Sequence, residues 1–204
     1  MLLAPAFTAA SWNASTSAWF FAIGDERKAR KALKKLIELA PEAPLVSVAL
    51  GNYDCGVYSH QVKGECPAAP QFAVKALDGT TFDLTSLKGK VVVLNFWFIG
   101  CAPCRVEMPH LNALVKEFKP NQDVVFIGNA TDGAKHLKQF LAKTTFNYHI
   151  VADGAQIASK YGVGAYPTHI VIAKDGTISS QSIGGSTDID TSLRLRINRA
   201  LAGI

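Results

Sequence analysis

The pattern of apolar and polar positions predicts alternating strands and helices along most of this chain. Residues 91–98 form a mostly apolar run with the length and residue types of a fully buried strand. Residues 105–118 follow with apolar side chains at helical spacing, which predicts a helix. The same patterns predict further strands at 124–128, 148–151, 169–173 and 177–183, and further helices at 133–143, 155–161 and 190–201.

These elements predict an α/β fold in which helices cover both faces of a central mixed sheet. Asp175-Gly176 predicts the turn of an antiparallel hairpin near the end of the chain. Gly162 is expected to end the helix before it in a left-handed conformation. Pro109 lies inside the helix that follows the first long strand and is expected to kink it.

Residues 1–65 differ from the rest and are predicted to form an N-terminal extension to a main domain at 66–204. The clearest element of this extension is a helix at 25–40, which a proline stops. Residues 41–70 are rich in proline, glycine, aspartate and cysteine, which is typical of a linker.

The formal net charge of +5 comes in large part from one cluster of basic residues in the predicted N-terminal helix. Charge runs on helices are usually solvated faces, and no nucleic-acid-binding motif accompanies this one. We therefore expect no nucleic-acid partner. The cluster consists of Arg27, Lys28, Arg30, Lys31, Lys34 and Lys35.

The sequence carries no clearly readable export signal. Residues 1–10 are apolar and end in small residues, but no lysine or arginine precedes the apolar stretch, as a signal peptide requires. Residues 18–23 are also apolar, yet they fall far short of the roughly 20 residues that cross a bilayer.

Cys101-Ala102-Pro103-Cys104 carries the strongest chemical signal in the chain. The motif lies where a predicted strand passes into a predicted helix, so unpaired N–H groups and the helix dipole would stabilise a thiolate. A zinc site would need two further ligands at a matching spacing, and no second Cys-x-x-Cys exists. We predict a redox pair in which Cys101 attacks and Cys104 resolves the mixed disulfide, without cofactor or metal.

Cys55 and Cys66 leave two interpretations open: a structural disulfide or two free thiols. A disulfide would close a short loop, stabilise the fold by about 2–3 kcal/mol and fit an exported protein. A zinc site that adds His60 to the two cysteines lacks a fourth ligand at an obvious spacing.

The stretch Asn-Phe-Trp-Phe-Ile-Gly-Cys-Ala-Pro-Cys-Arg-Val-Glu-Met-Pro at 95–109 resembles the active site of TlpA/ResA-like proteins. These are exported thiol–disulfide oxidoreductases of the thioredoxin superfamily, in the AhpC/TSA-Redoxin group. The segments 72–90, 161–168 and 174–177 resemble, in order, the family's opening hairpin, cis-proline loop and late hairpin. The likeness covers roughly residues 66–204.

The resemblance implies a thioredoxin-like fold and a periplasmic or otherwise extracytoplasmic enzyme, free or membrane-associated. It implies protein thiols and disulfides as substrates, with the chain acting as a reductant. A membrane or periplasmic redox partner and a role in cytochrome c biogenesis are further implications of the resemblance.

The resemblance also implies roles for single residues. Pro167 would be cis and face the cysteine pair, although Tyr166-Pro167 taken alone would more often be an ordinary trans turn. Glu107 would pass protons to or from the sulfurs, although a glutamate in a first helical turn is often a solvated partner of the dipole. The implied substrate-contacting residues are Trp97, Ala102, Pro103, Tyr166 and Thr168.

Two positions depart from the family pattern. Asn95 stands where thioredoxin has a buried aspartate, which makes Glu107 the better candidate for proton transfer. Gly100 stands where a tryptophan commonly precedes the first cysteine, so the recognition surface beside Cys101 is less defined. The remaining histidines are expected to be packing or surface residues: His110, His136, His149 and His169.

Two other functions remain as alternatives. A peroxiredoxin-like peroxidase would carry a threonine three residues before its reactive cysteine, and Phe98 stands there instead. A non-catalytic thioredoxin-fold binding module would not need the intact cysteine pair or Pro167.

Overall fold

The computed structural model describes residues 52–55 and 66–203. The strands are β1 (Asn52–Asp54), β2 (Ala73–Lys75), β3 (Thr81–Asp83), β4 (Val91–Trp97), β5 (Val124–Ala130), β6 (His149–Val151), β7 (Thr168–Ile172) and β8 (Ile178–Ile183). The α-helices are α1 (Ala102–Phe118), α2 (Ala134–Leu141), α3 (Ala155–Lys160) and α4 (Ile189–Ala202), and a 3-10 helix spans Leu84–Leu87.

Six of the strands form one mixed sheet in the order β1-β8-β7-β4-β5-β6. Strands β4, β5 and β6 run parallel to one another, whereas β7 is antiparallel to β4, β8 to β7, and β1 to β8. Strands β2 and β3 form a separate hairpin. The predicted α/β architecture with a central mixed sheet is confirmed.

The central strand β4 is buried along its whole length because the sheet carries a hydrophobic core on each face. Val93 and Trp97 point to the side that α1 and α4 cover. Leu94 and Phe96 point to the opposite side, where α3 and the β2–β3 hairpin supply the packing residues. This alternation decides which β4 side chains can reach the helix that follows it.

Element boundaries differ from the predictions by a few residues. Helix α1 begins at Ala102 because a proline fits the first turn, where its missing N–H costs no hydrogen bond. Strand β5 continues past Gly128, where a Cβ would lie 2.8 Å from Cδ1 of Ile150, so glycine permits the close approach of β6. Gly162 has a φ of 62°, which confirms the predicted left-handed conformation.

Strand β1 lies upstream of the predicted domain boundary at residue 66, yet it belongs to the same compact unit as the rest of the sheet. The predicted helix at 25–40 and its basic cluster lie outside the described residues. Within the part of the chain that the structure describes, no helix is both long enough and apolar enough to span a bilayer.

Candidate functional site

The cysteine pair occupies the junction between β4 and α1. Cys101 is the N-cap of the helix, and the N–H of Cys104 donates a hydrogen bond to Cys101 Sγ at 3.2 Å. A disulfide joins the two residues, whose Cα atoms are 5.3 Å apart. The helix therefore directs a backbone donor and its positive end at the sulfur of Cys101.

Both cysteines of the pair are buried, since Cys101 is 4% exposed and Cys104 is 3% exposed. In the disulfide form, Cys101 Sγ turns back onto the first turn of α1 to bond with Cys104, which covers both sulfurs.

The loop before Cys101 is held from two sides. The N–H of Ile99 donates to Oδ2 of Asp132 at 2.8 Å, which ties the loop to the end of β5. The ring of Phe98 contacts the Tyr166 ring edge-on at a centroid distance of 5.4 Å. A Cβ at Gly100 would lie 3.2 Å from the Phe98 ring, so the glycine gives this aromatic ring room beside the motif.

Pro167 lies at the same end of the sheet as the cysteine pair. The Tyr166–Pro167 peptide bond is cis, as the resemblance implies, and Pro167 directly precedes β7, the neighbour of β4. The Pro167 carbonyl accepts a hydrogen bond from Gly184 N–H at 2.9 Å. The next residue, Gly185, lies against Pro103, so the loop between β8 and α4 touches both parts of the site.

Glu107 is completely buried, and both of its carboxylate oxygens accept hydrogen bonds. The backbone N–H of Ser186 donates to Oε1 at 2.8 Å. Nε2 of His169 lies 3.0 Å from Oε2. The imidazole is itself held by Asn95, whose Nδ2 lies 3.0 Å from His169 Nδ1.

The sequence prediction for His169 was incomplete, since its buried ring also pairs with the carboxylate of Glu107. Asn95 and His169 are direct partners across β4 and β7, on the face that looks toward α1. The available signal was one polar residue, Asn95 or His169, in each of the otherwise apolar segments 91–98 and 169–173 that the sequence predicts as strands. Only the register of β4 against β7 shows that these two polar residues lie side by side.

The other histidines that were predicted to be packing or surface residues do not take part in the hydrogen bonds of Asn95, His169 and Glu107. His136 is exposed on α2. His149 pairs with Asp78 at 2.6 Å, and His110 lies 3.8 Å from Asp190.

The structure separates the predicted substrate-contacting residues into two groups. Ala102 and Pro103 are exposed, and Tyr166 is half-buried. Trp97 is fully buried with its ring packed on Phe140 and Phe146. The Thr168 side chain is also buried, and its hydroxyl donates a hydrogen bond to the Ala165 carbonyl within the loop.

Cys55 and Cys66 form a second disulfide, with Cα atoms 5.8 Å apart. The bridge fixes the end of β1, which pairs with β8 at the edge of the sheet. Because both sulfurs are used in the disulfide, neither can serve the zinc site considered with His60. Among the described residues, no group of three or more histidine, cysteine, aspartate or glutamate side chains is placed to hold a metal ion.

The charge of Glu107 affects the buried phenol of Tyr148. Burial, and after it the charge of Glu107, raises the pKa of the Tyr148 phenol far above its usual value. The Tyr148 hydroxyl is buried and makes no hydrogen bond in the described structure. The phenol therefore stays protonated at physiological pH.

Comparison with known proteins places the same residues in a family. Residues 67–181 match the model of the AhpC/TSA family. The chain is 38% identical over 120 residues to "Thiol-disulfide oxidoreductase ResA" of Bacillus thuringiensis (strain Al Hakam), covering 58% of this chain and 69% of that protein. It is 33% identical over 132 residues to "Thioredoxin-like protein YneN" of Bacillus subtilis (strain 168), covering 64% of this chain and 78% of the relative.

Solved structures give the same result for the fold. A putative thiol:disulfide interchange protein DsbE from Chlorobium tepidum superposes with a TM-score of 0.61 at 27% identity, over 68% of this chain and 98% of the other. A putative protein disulfide isomerase from Bacteroides thetaiotaomicron gives a TM-score of 0.62 at 29% identity, over 75% and 94%. The predicted thioredoxin-like fold is confirmed, and the chain belongs to the AhpC/TSA family.

Proposed function

We propose that this chain is a thiol–disulfide oxidoreductase that exchanges the Cys101–Cys104 disulfide with protein substrates. The observation that carries the proposal is the position of the pair at the N-terminus of α1, where Cys104 N–H donates to Cys101 Sγ. In the reduced protein the same donor and the helix dipole would stabilise a Cys101 thiolate, the species that attacks disulfides. The name and identity of the ResA relatives support this activity.

The exchange proceeds in two balanced steps in the reducing direction. The Cys101 thiolate attacks one sulfur of a substrate disulfide, forms a mixed disulfide and releases the other substrate sulfur as a thiolate. The Cys104 thiol then gives up its proton and attacks the Cys101 sulfur. The internal disulfide forms, the remaining substrate sulfur leaves as a thiolate, and two electrons have passed to the substrate. A dithiol redox partner returns two electrons to the pair.

The substrate is proposed to bind beside the motif on a mixed polar and apolar surface. Ala102 and Pro103 are exposed at the first turn of α1, and Val106 is 57% exposed one turn further. Tyr166 borders this surface from the loop that precedes β7. Exposed apolar side chains of this kind favour contact with a protein segment over contact with a small charged molecule.

We place the protein outside the cytoplasm, as a reductant served by a membrane or periplasmic partner. The Cys55–Cys66 disulfide supports this location because structural disulfides persist in oxidising compartments. The direction of exchange is tested by titrating Cys101 and Cys104 against a series of glutathione buffers. A potential near about −270 mV would mark a reductant, and one near about −120 mV would mark an oxidant.

The activity is tested by reduction of insulin disulfides with dithiothreitol as electron source. Cys101→Ser should abolish the reaction, and Cys104→Ser should accumulate a mixed disulfide with the substrate because the resolving thiol is missing. The matched control is the Cys55→Ser, Cys66→Ser double variant, which retains the redox pair and should retain activity if folded. Full activity of Cys101→Ser would refute the proposal, and rapid peroxide consumption by the reduced protein would favour a peroxidase instead.

A further inference from the structure

A buried row of polar side chains crosses from the sheet to α1, and the exchange steps above do not use it. Asn95 and His169 are paired across β4 and β7, and their side chains point toward α1. Glu107 meets them from α1, three residues after Cys104. The three residues are at most 2% exposed, so solvent does not satisfy their hydrogen bonds.

The hydrogen bonds of this row assign the position of the imidazole proton. Asn95 Nδ2 carries only donor hydrogens and lies 3.0 Å from His169 Nδ1, so Nδ1 accepts and carries no proton. The proton of the neutral ring then lies on Nε2, which donates to Glu107 Oε2 at 3.0 Å. Ser186 N–H donates to the other oxygen of the same carboxylate at 2.8 Å. Each of these donors thus points at a lone pair of the carboxylate or of the imidazole, and no two donors face each other.

We propose that His169 is a positioning residue that holds Glu107 as an oriented carboxylate, and that Asn95 selects the His169 tautomer which does so. Resting on the function proposed above, this makes Glu107 the acceptor of the proton that Cys104 releases. The proton moves from Cys104 Sγ to a Glu107 oxygen, and the sulfur's electron pair forms the bond to Cys101 as the bond to the substrate breaks. A carboxylate has about four lone-pair sites, so two accepted hydrogen bonds leave room for that proton.

The other titratable groups around the row are consistent with this role for Glu107. Tyr148 directly precedes β6, and burial, followed by the charge of Glu107, raises the pKa of its phenol, so it stays protonated and does not compete as an acceptor. Asp188, in the loop before α4, accepts a hydrogen bond from the Ser186 hydroxyl, whereas Glu107 accepts from the Ser186 backbone N–H.

Nitrogen NMR of isotopically labelled histidine tests the tautomer without any activity assay. We expect His169 in the wild-type protein to show a protonated Nε2 and an unprotonated Nδ1. In Asn95→Asp, an isosteric variant, the new carboxylate should accept a hydrogen bond from Nδ1, so both ring nitrogens should be protonated. A wild-type His169 with a protonated Nδ1 would overturn the proposal, and so would an Asn95→Asp ring identical to the wild type.

The kinetic role is tested by mixing the reduced protein with a chromogenic aromatic disulfide in a stopped-flow instrument. The first release of aromatic thiolate reports attack by Cys101, and the second reports attack by Cys104 on the mixed disulfide. His169→Leu should slow the second phase about tenfold and shift its pH profile, with the first phase unchanged, and His169→Gln should recover part of the rate. The glutamine variant keeps an N–H donor that can point at Glu107.

An unchanged second phase and pH profile in folded His169→Leu would overturn the proposal, as would an equal loss in the leucine and glutamine variants. This measurement uses a small disulfide, so it is independent of whether insulin is a substrate. A wild-type protein that resolves the aromatic mixed disulfide but leaves insulin intact would therefore contradict the proposed function alone.

Discussion

Gly185 lies so close to Pro103 that a Cβ at position 185 would stand 2.7 Å from the proline Cβ. The contact brings the loop between β8 and α4 onto the redox motif. On either side of it, Gly184 N–H donates to the Pro167 carbonyl and Ser186 N–H donates to Glu107. One short loop therefore connects the cysteine motif, the cis-proline segment and the buried carboxylate.

Gly185→Ala should disturb all three connections because its methyl group cannot fit against Pro103. We expect a loss of about 1–3 kcal/mol in the free energy of unfolding, together with slower insulin reduction. Urea denaturation and the insulin assay measure the two effects. The matched control is Gly164→Ala, since an added Cβ there meets nothing within 4 Å and should change stability by less than about 1 kcal/mol. Equal behaviour of the two alanine variants would contradict the tight contact.

Two buried tyrosines should respond in opposite ways to loss of the hydroxyl group. Tyr161 OH donates to the Pro70 carbonyl at 2.8 Å, so Tyr161→Phe should lower the free energy of unfolding by about 1 kcal/mol. The buried Tyr148 hydroxyl has no hydrogen-bond partner in the described structure, so Tyr148→Phe should leave stability unchanged or raise it by about 1 kcal/mol. Chemical denaturation of both variants measures the contrast, and a larger loss in Tyr148→Phe would show that its hydroxyl is satisfied.

The same two phenols should make the fold sensitive to alkaline pH. Burial raises the pKa of Tyr148 and of Tyr161 above the unfolded value of about 10, so both stay protonated in the fold and ionise on unfolding. Their stabilising contribution is complete below about pH 10 and is lost as the pH rises beyond it. The free energy of unfolding should fall by about 1.4 kcal/mol per pH unit for each phenol.

Denaturation curves measured between neutral pH and about pH 12 should show this slope. The Tyr148→Phe, Tyr161→Phe double variant is the reference, because it keeps the lysines whose deprotonation also contributes in this range. A double variant with the same alkaline slope as the wild type would show that the phenols ionise without unfolding.

The Cys55–Cys66 disulfide should stabilise the edge of the sheet rather than take part in exchange. The disulfide joins residues 11 positions apart. Removing a crosslink that closes a loop of this size should lower the free energy of unfolding by about 3 kcal/mol. The Cys55→Ser, Cys66→Ser variant should also show faster amide exchange in β1, because the bridge fixes the end of that strand. Unchanged stability and unchanged exchange in β1 would show that strand pairing with β8 suffices.

The location of the redox pair could be predicted from the chain because it depends on neighbouring residues. An apolar strand, a Cys-x-x-Cys and an amphipathic helix follow one another directly, and a cysteine at a helix start is favoured by unpaired backbone donors. The sheet class followed from the same local periodicities. The comparisons confirm the family that residues 95–109 indicated.

The roles of Asn95, His169 and Gly185 could not be predicted in this way. Asn95 and His169 are 74 positions apart and meet only through the register of β4 against β7. Gly185 resembles any loop glycine until Pro103 is placed beside it. The family resemblance implied substrate contacts for Trp97 and Thr168, whereas packing buries both side chains.

The secondary-structure elements, their order and the pair of sulfurs at one helix start could be read from the chain, because each depends on interactions between residues near one another in it. Which polar atoms share the interior with those sulfurs depends instead on how distant segments pack together. Burial removes water as a hydrogen-bond partner, so a carboxylate, an imidazole and an amide from distant segments must satisfy one another.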